Sequence, residues 1–334
     1  MKYGILIDDF AIFHDGYLDL IEEAIKSTDK LLIFIRASEC STDIKHPFTA
    51  EEREEMICSV LYEKYPKVDA RIFHLPDMVY EPLKWVHNLD DIIKKNVKSD
   101  SSVVIFDCNN SNELKCLNYS IVNFKLPRST QSVLEHIYES DIFSFSFFRE
   151  FMPDPAVDCI TSFLDDERVD SLLNEFKFVQ EYRKAWENVP YPPVFVTVDS
   201  LVVCRNDVLV IRRGNDPGKG KIALPGGFIN QDEFIKDACI RELIEETSIS
   251  LSKNELNDAI CDYQVFDYPF RSTRGRTITN VFMFRFDDQP KVSASDDAAS
   301  LEWMSFEDVE TNKREFYEDH YQIITCLLNR NLLI

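Results

Sequence analysis

In the second half of the chain, the run Arg241-Glu242-Leu243-Ile244-Glu245-Glu246 sets three carboxylates beside a guanidinium. If residues 232–247 form one helix at about 3.6 residues per turn, Glu242, Glu245 and Glu246 stand at i, i+3 and i+4 and project from one side. Carboxylates so placed repel one another unless something cationic sits among them. On an exposed helix the cost is only a few tenths of a kcal/mol per pair, so the same spacing also suits a solvated acidic face. Further on, Arg271, Arg274 and Arg276 form the densest basic cluster in an acidic chain. Guanidinium forks match phosphate oxygens, although loop arginines also bridge acidic neighbours. Phe266 and Tyr268 precede this cluster and are suited either to stacking on adenine or to filling a core.

These groups must be positioned by two differently built halves. In the first, GILI (4–7), LLIFI (31–35) and VVIFD (103–107) read as buried strands. Between them, residues 18–27 have helical spacing, and 49–62 open with a Thr-x-x-Glu capping box before a second helix. That β-α-β-α-β order predicts a parallel, doubly wound sheet. A charged helix is expected over about 165–186, ended by NVPYPP (188–193), which places a domain boundary at 187/188. Beyond it, 194–203 and 207–213 predict a hairpin turning at Arg205–Asn206. A loop, the Pro225-Gly226-Gly227 turn and the acidic helix follow. Strands are expected around Tyr263–Phe266 and Thr277–Phe286, and a last helix over about 315–329.

The bulk properties narrow the partners. A chain of 334 residues suits two domains with cores of their own. No apolar stretch approaches the roughly 18 residues that a membrane helix needs. Asp8 and Asp9 cut the first apolar run too short for a signal-peptide core. The nine cysteines are scattered and never spaced as C-x-x-C, which argues for reduced thiols in a cytoplasm. A net charge of −22 with no basic patch disfavours nucleic acid and anionic membranes. A phosphate-bearing small molecule would then need a divalent cation to mediate its binding.

From Gly227 to Ile249 the chain resembles the Nudix box, G-x5-E-x7-R-E-U-x-E-E-x-G-U with U aliphatic. Gly227, Glu233, Arg241, Glu242, Leu243, Glu245, Glu246 and Ile249 match it, and only the late glycine departs, being Ser248. The resemblance implies a mixed-sheet α/β/α sandwich that hydrolyses a pyrophosphate bond. By the same resemblance, Glu242 and Glu246 are direct ligands of Mg²⁺ or Mn²⁺, with Glu245 close by and a backbone carbonyl near Gly226 completing the protein shell. Arg241 would hold the carboxylates through ion pairs, with Glu233 and Glu245 among them. The general base would be a late-loop carboxylate, for which Asp296 and Asp297 are the candidates. Residues 265–279 and 293–304 resemble the ADP-ribose-cleaving branch, in particular the Nudix domain of bifunctional nicotinamide mononucleotide adenylyltransferase/ADP-ribose pyrophosphatases.

That family also accounts for the first half, as a Rossmann-like nucleotidyltransferase-type domain opening with G-R-F-Q-P-F-H-x-G-H. In Asp8–Tyr17, Phe10, Phe13, His14 and Gly16 survive, while Asp8, Asp9, Ala11, Ile12 and Tyr17 replace the glycine, arginine, glutamine, proline and second histidine. Two aspartates would put negative charge beside a triphosphate, and Tyr17 carries no positive charge at neutral pH. The family's later S-x-T-x-x-R segment is poorly matched by 128–136, where Leu134 falls in place of the arginine. Residues 43–54 and Trp85 match features on the mononucleotide side. The resemblance thus predicts an ADP-ribose pyrophosphatase whose first domain has lost adenylyl transfer and serves as a scaffold, a surface for homodimerisation or a nucleotide sensor. The alternatives are a truly bifunctional enzyme, a non-catalytic nucleotide sensor, and a Nudix enzyme for NADH or a nucleotide sugar.

Overall fold

The computed structural model describes all residues except 140–147, 161–162, 164–165, 296–297 and 333–334. The chain divides into two compact units, Met1–Asn174 and Glu175–Ile334.

In the first unit, β1 (Lys2–Asp8), β2 (Lys30–Ile35), β3 (Ala70–His74), β4 (Ser102–Asp107) and β5 (Ser120–Asn123) pair in parallel in the order β3-β2-β1-β4-β5. Ile5, Leu32, Phe34 and Ile105 are at most 1% exposed, which is why the inner strands read as unbroken apolar runs rather than alternating ones. Helices α1 (Asp15–Ser27), α2 (Ala50–Lys64), α3 (Pro82–Asn96), α4 (Thr130–Glu139) and α5 (Asp154–Cys159) accompany the sheet. The capping box at α2 forms in full, with Thr49 accepting from the Glu52 amide and the Glu52 carboxylate accepting from the Thr49 amide. Strand order reverses between β1 and β4, and the crevice beyond their C-terminal ends is the usual ligand position in such sheets. The segment from Asp8 to Tyr17 starts there. The residue pattern singles out neither β3 nor α3, whose apolar positions are interrupted by charges.

One buried cation holds the connections around that crevice. Arg53, on α2, is 1% exposed. It donates to the carbonyls of Asp9 (2.6 Å), Arg36 (2.9 Å), Ala37 (2.9 Å) and Thr49 (3.3 Å).

The second unit opens within α6 (Glu167–Lys184). A boundary at 187/188 is therefore too late for the compact units. The later part of the helix stays with the second unit because Tyr182 packs on Phe195 at 5.6 Å between ring centres and Arg183 bonds to the Thr273 carbonyl. The sheet comprises β6 (Phe195–Cys204), β7 (Asp207–Arg213), β8 (Ile222–Ala223), β9 (Gly226–Phe228), β10 (Ile260–Phe266), β11 (Thr277–Phe286) and β12 (Ala298–Ser305). Its main order is β10-β11-β6-β7-β12, with β8 on β7 and β9 on β6. The β11–β6 pair is parallel and the others antiparallel, giving a mixed sheet. The hairpin turns at Arg205–Asn206 as its sequence predicts, with Cys204 opposite Asp207. Helix α7 (Ile235–Thr247) lays Ala238, Cys239, Ile240 and Leu243 on Val198, Val202 and Phe284 of the sheet. Helices α8 (Lys253–Ala259), α9 (Phe306–Thr311) and α10 (His320–Leu332) complete the unit.

Two boundaries differ from the sequence reading. Helix α7 starts at Ile235, not 232, because the Asn230 amide donates to the Glu233 carboxylate (2.7 Å) and closes a turn ahead of it. Helix α10 starts at His320, not 315, since residues 313–315 form a separate 3₁₀ turn. No helix among the described residues is long and apolar enough to cross a membrane.

Because Arg53 satisfies four carbonyls from a buried position, Arg53→Met is expected to lower the unfolding free energy by about 3 kcal/mol or more. Urea unfolding followed by tryptophan fluorescence measures this.

Candidate active site

The strand-turn-helix arrangement brings the box residues together. On α7, Arg241 is the hub of four interactions. It donates to Glu233 (2.6 and 3.0 Å), Glu242 (2.8 Å), Glu245 (2.8 Å) and the Phe228 carbonyl (3.2 Å). These hydrogen bonds, above all those to Glu233, push the Arg241 pKa up, and the guanidinium in turn holds Glu233 down to about 2. Glu246 behaves differently. It is 5% exposed and accepts from the Gly226 amide at 2.8 Å. Burial and the nearby Glu242 raise its pKa from the ordinary 4.5 to about 8. Ser248, in the place of the family's glycine, adopts the left-handed conformation (φ 43°) that the helix end requires, at a cost of about 1 kcal/mol for a residue with a Cβ. Its hydroxyl bonds Ser295 at 2.9 Å.

The two glycines before the helix are fixed by contact. A Cβ on Gly227 would lie 2.6 Å from a Glu242 carboxylate oxygen, and one on Gly226 would lie 2.1 Å from the Val198 carbonyl oxygen. Only a bare backbone lets β9 come this close to the carboxylates.

A cavity of about 400 Å³ opens over this surface, lined by Glu242, Glu245 and Glu246 and also by Arg213, Arg271 and Arg274. Arg271 is almost fully buried and makes a two-pronged ion pair with Asp319 (2.8 and 2.9 Å). Arg274 lies over the Phe228 ring at 4.9 Å, and its Nε is buried without a hydrogen-bond partner. Arg276 is turned away from the cavity to the carbonyl of Asp267, the bridging role open to any loop arginine. Phe266 is 0% exposed and belongs to the core, so it offers no face for stacking. Tyr268 packs edge-on against Phe270 and does not line the cavity. Asp296 and Asp297 lie outside the described residues.

Several lining residues escape the sequence reading. Asp199, 6% exposed, accepts from the Thr279 hydroxyl and pairs with Gly226 across β6 and β9. A charge in the middle of the apolar run VFVTVDSLVV is the signal that could have found it. Arg213 sits over Tyr317 at 4.2 Å, and no local pattern distinguishes it from Arg212.

In the first unit, His14 caps α1 and is 2% exposed. Its Nδ1 accepts from the Gly16 amide (3.1 Å), and its Nε2 meets the Thr130 hydroxyl (3.2 Å). Burial and the charge of Arg128 push its pKa down to about 4, so the ring is neutral at pH 7. The Tyr17 hydroxyl bonds the same Thr130 oxygen at 2.8 Å. Asp8 is raised to about 7 by burial and by Asp9. Asp9, half-buried, is held below the usual carboxylate range by a hydrogen bond from His46 and the charges of His46, Arg36 and Arg53. Trp85 is 5% exposed with the Arg36 guanidinium 4.9 Å from its ring centre.

Comparison with known proteins agrees with this layout. Residues 194–325 match the NUDIX domain model and residues 9–113 the cytidylyltransferase-like model. The bifunctional NMN adenylyltransferase/ADP ribose pyrophosphatase of Francisella tularensis, crystallised with AMP and a Mn ion, is 34% identical and superposes with a TM-score of 0.90 over 98% of this chain and 99% of its own. The chain belongs to that family. Its second domain is a Nudix hydrolase. In addition, an ADP-ribose pyrophosphatase of Methanocaldococcus jannaschii is 34% identical over 129 residues, 39% of this chain and 70% of that protein. A nicotinamide/nicotinic acid mononucleotide adenylyltransferase of Acinetobacter baylyi is 24% identical over 184 residues, 52% of this chain and 93% of that protein.

Nudix hydrolases generally use divalent metals, and this Nudix domain offers hard oxygen donors of the right kind. Buried Glu246 and the glycine cradle against Glu242 fit a cation. Among the described residues, however, no three such side chains already converge as a metal cage. Glu242 and Glu245 are drawn to Arg241, and Glu246 is drawn to the Gly226 amide.

The raised Glu246 pKa gives a signed prediction. Between pH 4.5 and about 8 the folded protein holds this proton more tightly than the unfolded chain does, so metal-free stability falls as pH rises through that window. Glu246→Gln, which removes the charge, is expected to raise the melting temperature in chelator at pH 9 and to change it little at pH 5. Calorimetric melting at both pH values checks this.

Proposed function

We propose that the C-terminal domain hydrolyses ADP-ribose to AMP and ribose 5-phosphate with Mg²⁺ or Mn²⁺ as cofactor. The observation that carries the reading is that one cavity is lined both by the box carboxylates and by Arg213, Arg271 and Arg274. That combination suits a pyrophosphate whose charge is shared between metal and guanidinium. The two relatives above 30% identity that are named for ADP-ribose cleavage support the choice of substrate.

In this reading Glu242 and Glu246 hold the metal, with Glu245 and the carbonyl near Gly226 as further donors. The metal, when bound, neutralises the pyrophosphate and activates water. Arg241 keeps Glu242 and Glu245 oriented, and Glu233 anchors Arg241 in turn. Arg274 reaches the substrate phosphates directly, while Arg271, committed to Asp319, forms the wall behind them. Asp296 or Asp297 supplies the base. Phe228, which lines the cavity and is 36% exposed, takes over the stacking role first assigned to Phe266 and Tyr268.

The same proposal holds that adenylyl transfer is lost. A phosphate-binding histidine must donate a hydrogen bond to developing charge. Here both His14 nitrogens are engaged within the protein, and buried Asp8 and half-buried Asp9 stand at the crevice.

Incubating the protein with Mg²⁺ and a panel of ADP-ribose, NADH, nucleotide sugars, or nicotinamide mononucleotide plus ATP tests both parts. The expected outcome is AMP and ribose 5-phosphate from ADP-ribose alone, with a loss of about 10²-fold or more in kcat for Glu246→Gln. NAD formed from the last mixture would restore a bifunctional protein, and silence on every substrate would favour a nucleotide sensor.

A further inference from the structure

We infer that Arg183, on the last turn of α6, is a positioning residue for Arg274 and thereby sets the affinity of the Nudix site for its substrate. The inference rests on the pyrophosphatase reading above.

Residues 271–276 lie in an irregular loop between β10 and β11, so no sheet ladder fixes the backbone that carries Arg271 and Arg274. What fixes it is a set of tethers around Thr273. The Thr273 amide donates to the Glu318 carboxylate at 3.1 Å. Its carbonyl accepts two hydrogen bonds from one side chain, from the Nε of Arg183 at 3.0 Å and from a terminal nitrogen of Arg183 at 2.7 Å. The preceding arginine, Arg271, is anchored by Asp319.

The carbonyl of Thr273 belongs to the same rigid plane as the amide nitrogen and Cα of Arg274. Clamping that oxygen from two directions fixes the tilt of the plane, and with it the direction in which the Arg274 side chain leaves the backbone. The opposite edge of the plane is held only by the Arg274 amide donating to the Ser272 hydroxyl at 3.3 Å. The Arg274 guanidinium then rests on Phe228 with its Nε buried and unpartnered. Among the described residues it makes no ion pair; its backbone and one ring face hold it, with the charge of Glu318 nearby. An arginine with so few polar anchors of its own depends on the orientation of its peptide plane more than Arg271 does.

The base of this clamp is itself fixed to the Nudix sheet. Tyr182 and Trp186, on either side of Arg183, both pack on Phe195 with ring centres 5.6 Å away, and Phe195 in turn meets Phe228 at 6.0 Å. Arg183 and the platform under Arg274 thus share one aromatic support. Arg183 does not line the cavity, so its effect must pass through the loop.

The test is steady-state kinetics of the full chain with Mg²⁺ on whichever pyrophosphate of the panel the wild type cleaves, comparing Arg183→Ala, Arg183→Lys, Arg274→Ala and the double alanine variant. Arg183→Ala should raise KM about tenfold while kcat changes less than about threefold, because ground-state and transition-state binding are weakened alike. Arg183→Lys, with a point charge in place of a fork, should recover part of that loss. In the Arg274→Ala background the Arg183→Ala change should add little, since the two residues act as one unit. An unaltered KM, a fully additive effect, or a fall in kcat that tracks a lowered melting temperature would overturn the inference. Cleavage of another panel member instead of ADP-ribose would correct the substrate while leaving this comparison intact. A wild type that cleaves none of them would overturn both.

Discussion

The Nudix site is organised by one guanidinium. Arg241 stands among Glu233, ahead of α7, and Glu242 and Glu245 on it, and its one positive charge offsets part of their mutual repulsion. The fourth carboxylate of the box, Glu246, is given no such partner. It is buried against β9 with a single amide for company, and it resists ionisation as a result. The fold thus gives Arg241 to three acids and leaves the fourth for the cation proposed above. The flanking features follow from this arrangement. Glycine is required at 226, where a side chain would collide with the β6 backbone, and at 227 it leaves room for the Glu242 carboxylate, and the Asn230–Glu233 turn brings the Glu233 carboxylate up to Arg241.

The first domain shows the same sheet economy turned to a different end. Its strand reversal still leaves a crevice beyond β1 and β4, but the groups that meet there satisfy one another. His14 and Tyr17 converge on Thr130, His46 pairs with Asp9, and Arg36 with Asp77. Arg53, which sequence places within a ligand-binding motif, spends its donors on four backbone carbonyls.

How much of this was legible in the sequence depends on the range of the interaction. Elements governed by their own periodicity, such as β1, β2, β4, α2 with its capping box and the β6–β7 hairpin, could be read directly. So could the box, because its chemistry is concentrated along one helix and the turn before it. What could not be read depends on partners far along the chain. The commitment of Arg271 follows from Asp319, the burial of Phe266 from the sheet packed around it, and the importance of Arg183 from a carbonyl at Thr273. Likewise, the break after Lys184 is obvious from its prolines, yet the compact unit begins earlier, because the last turns of α6 belong to the packing of the Nudix sheet.

The reading proposed for the Nudix site requires a divalent cation to displace the proton that burial favours on Glu246. Isothermal titration of Mn²⁺ into metal-free protein at pH 7, in two buffers of different ionisation enthalpy, measures this directly. The account predicts that binding releases close to one proton and that the release disappears in Glu246→Gln, whose affinity is also reduced. Binding with no proton release, or with the same release in the variant, would contradict it.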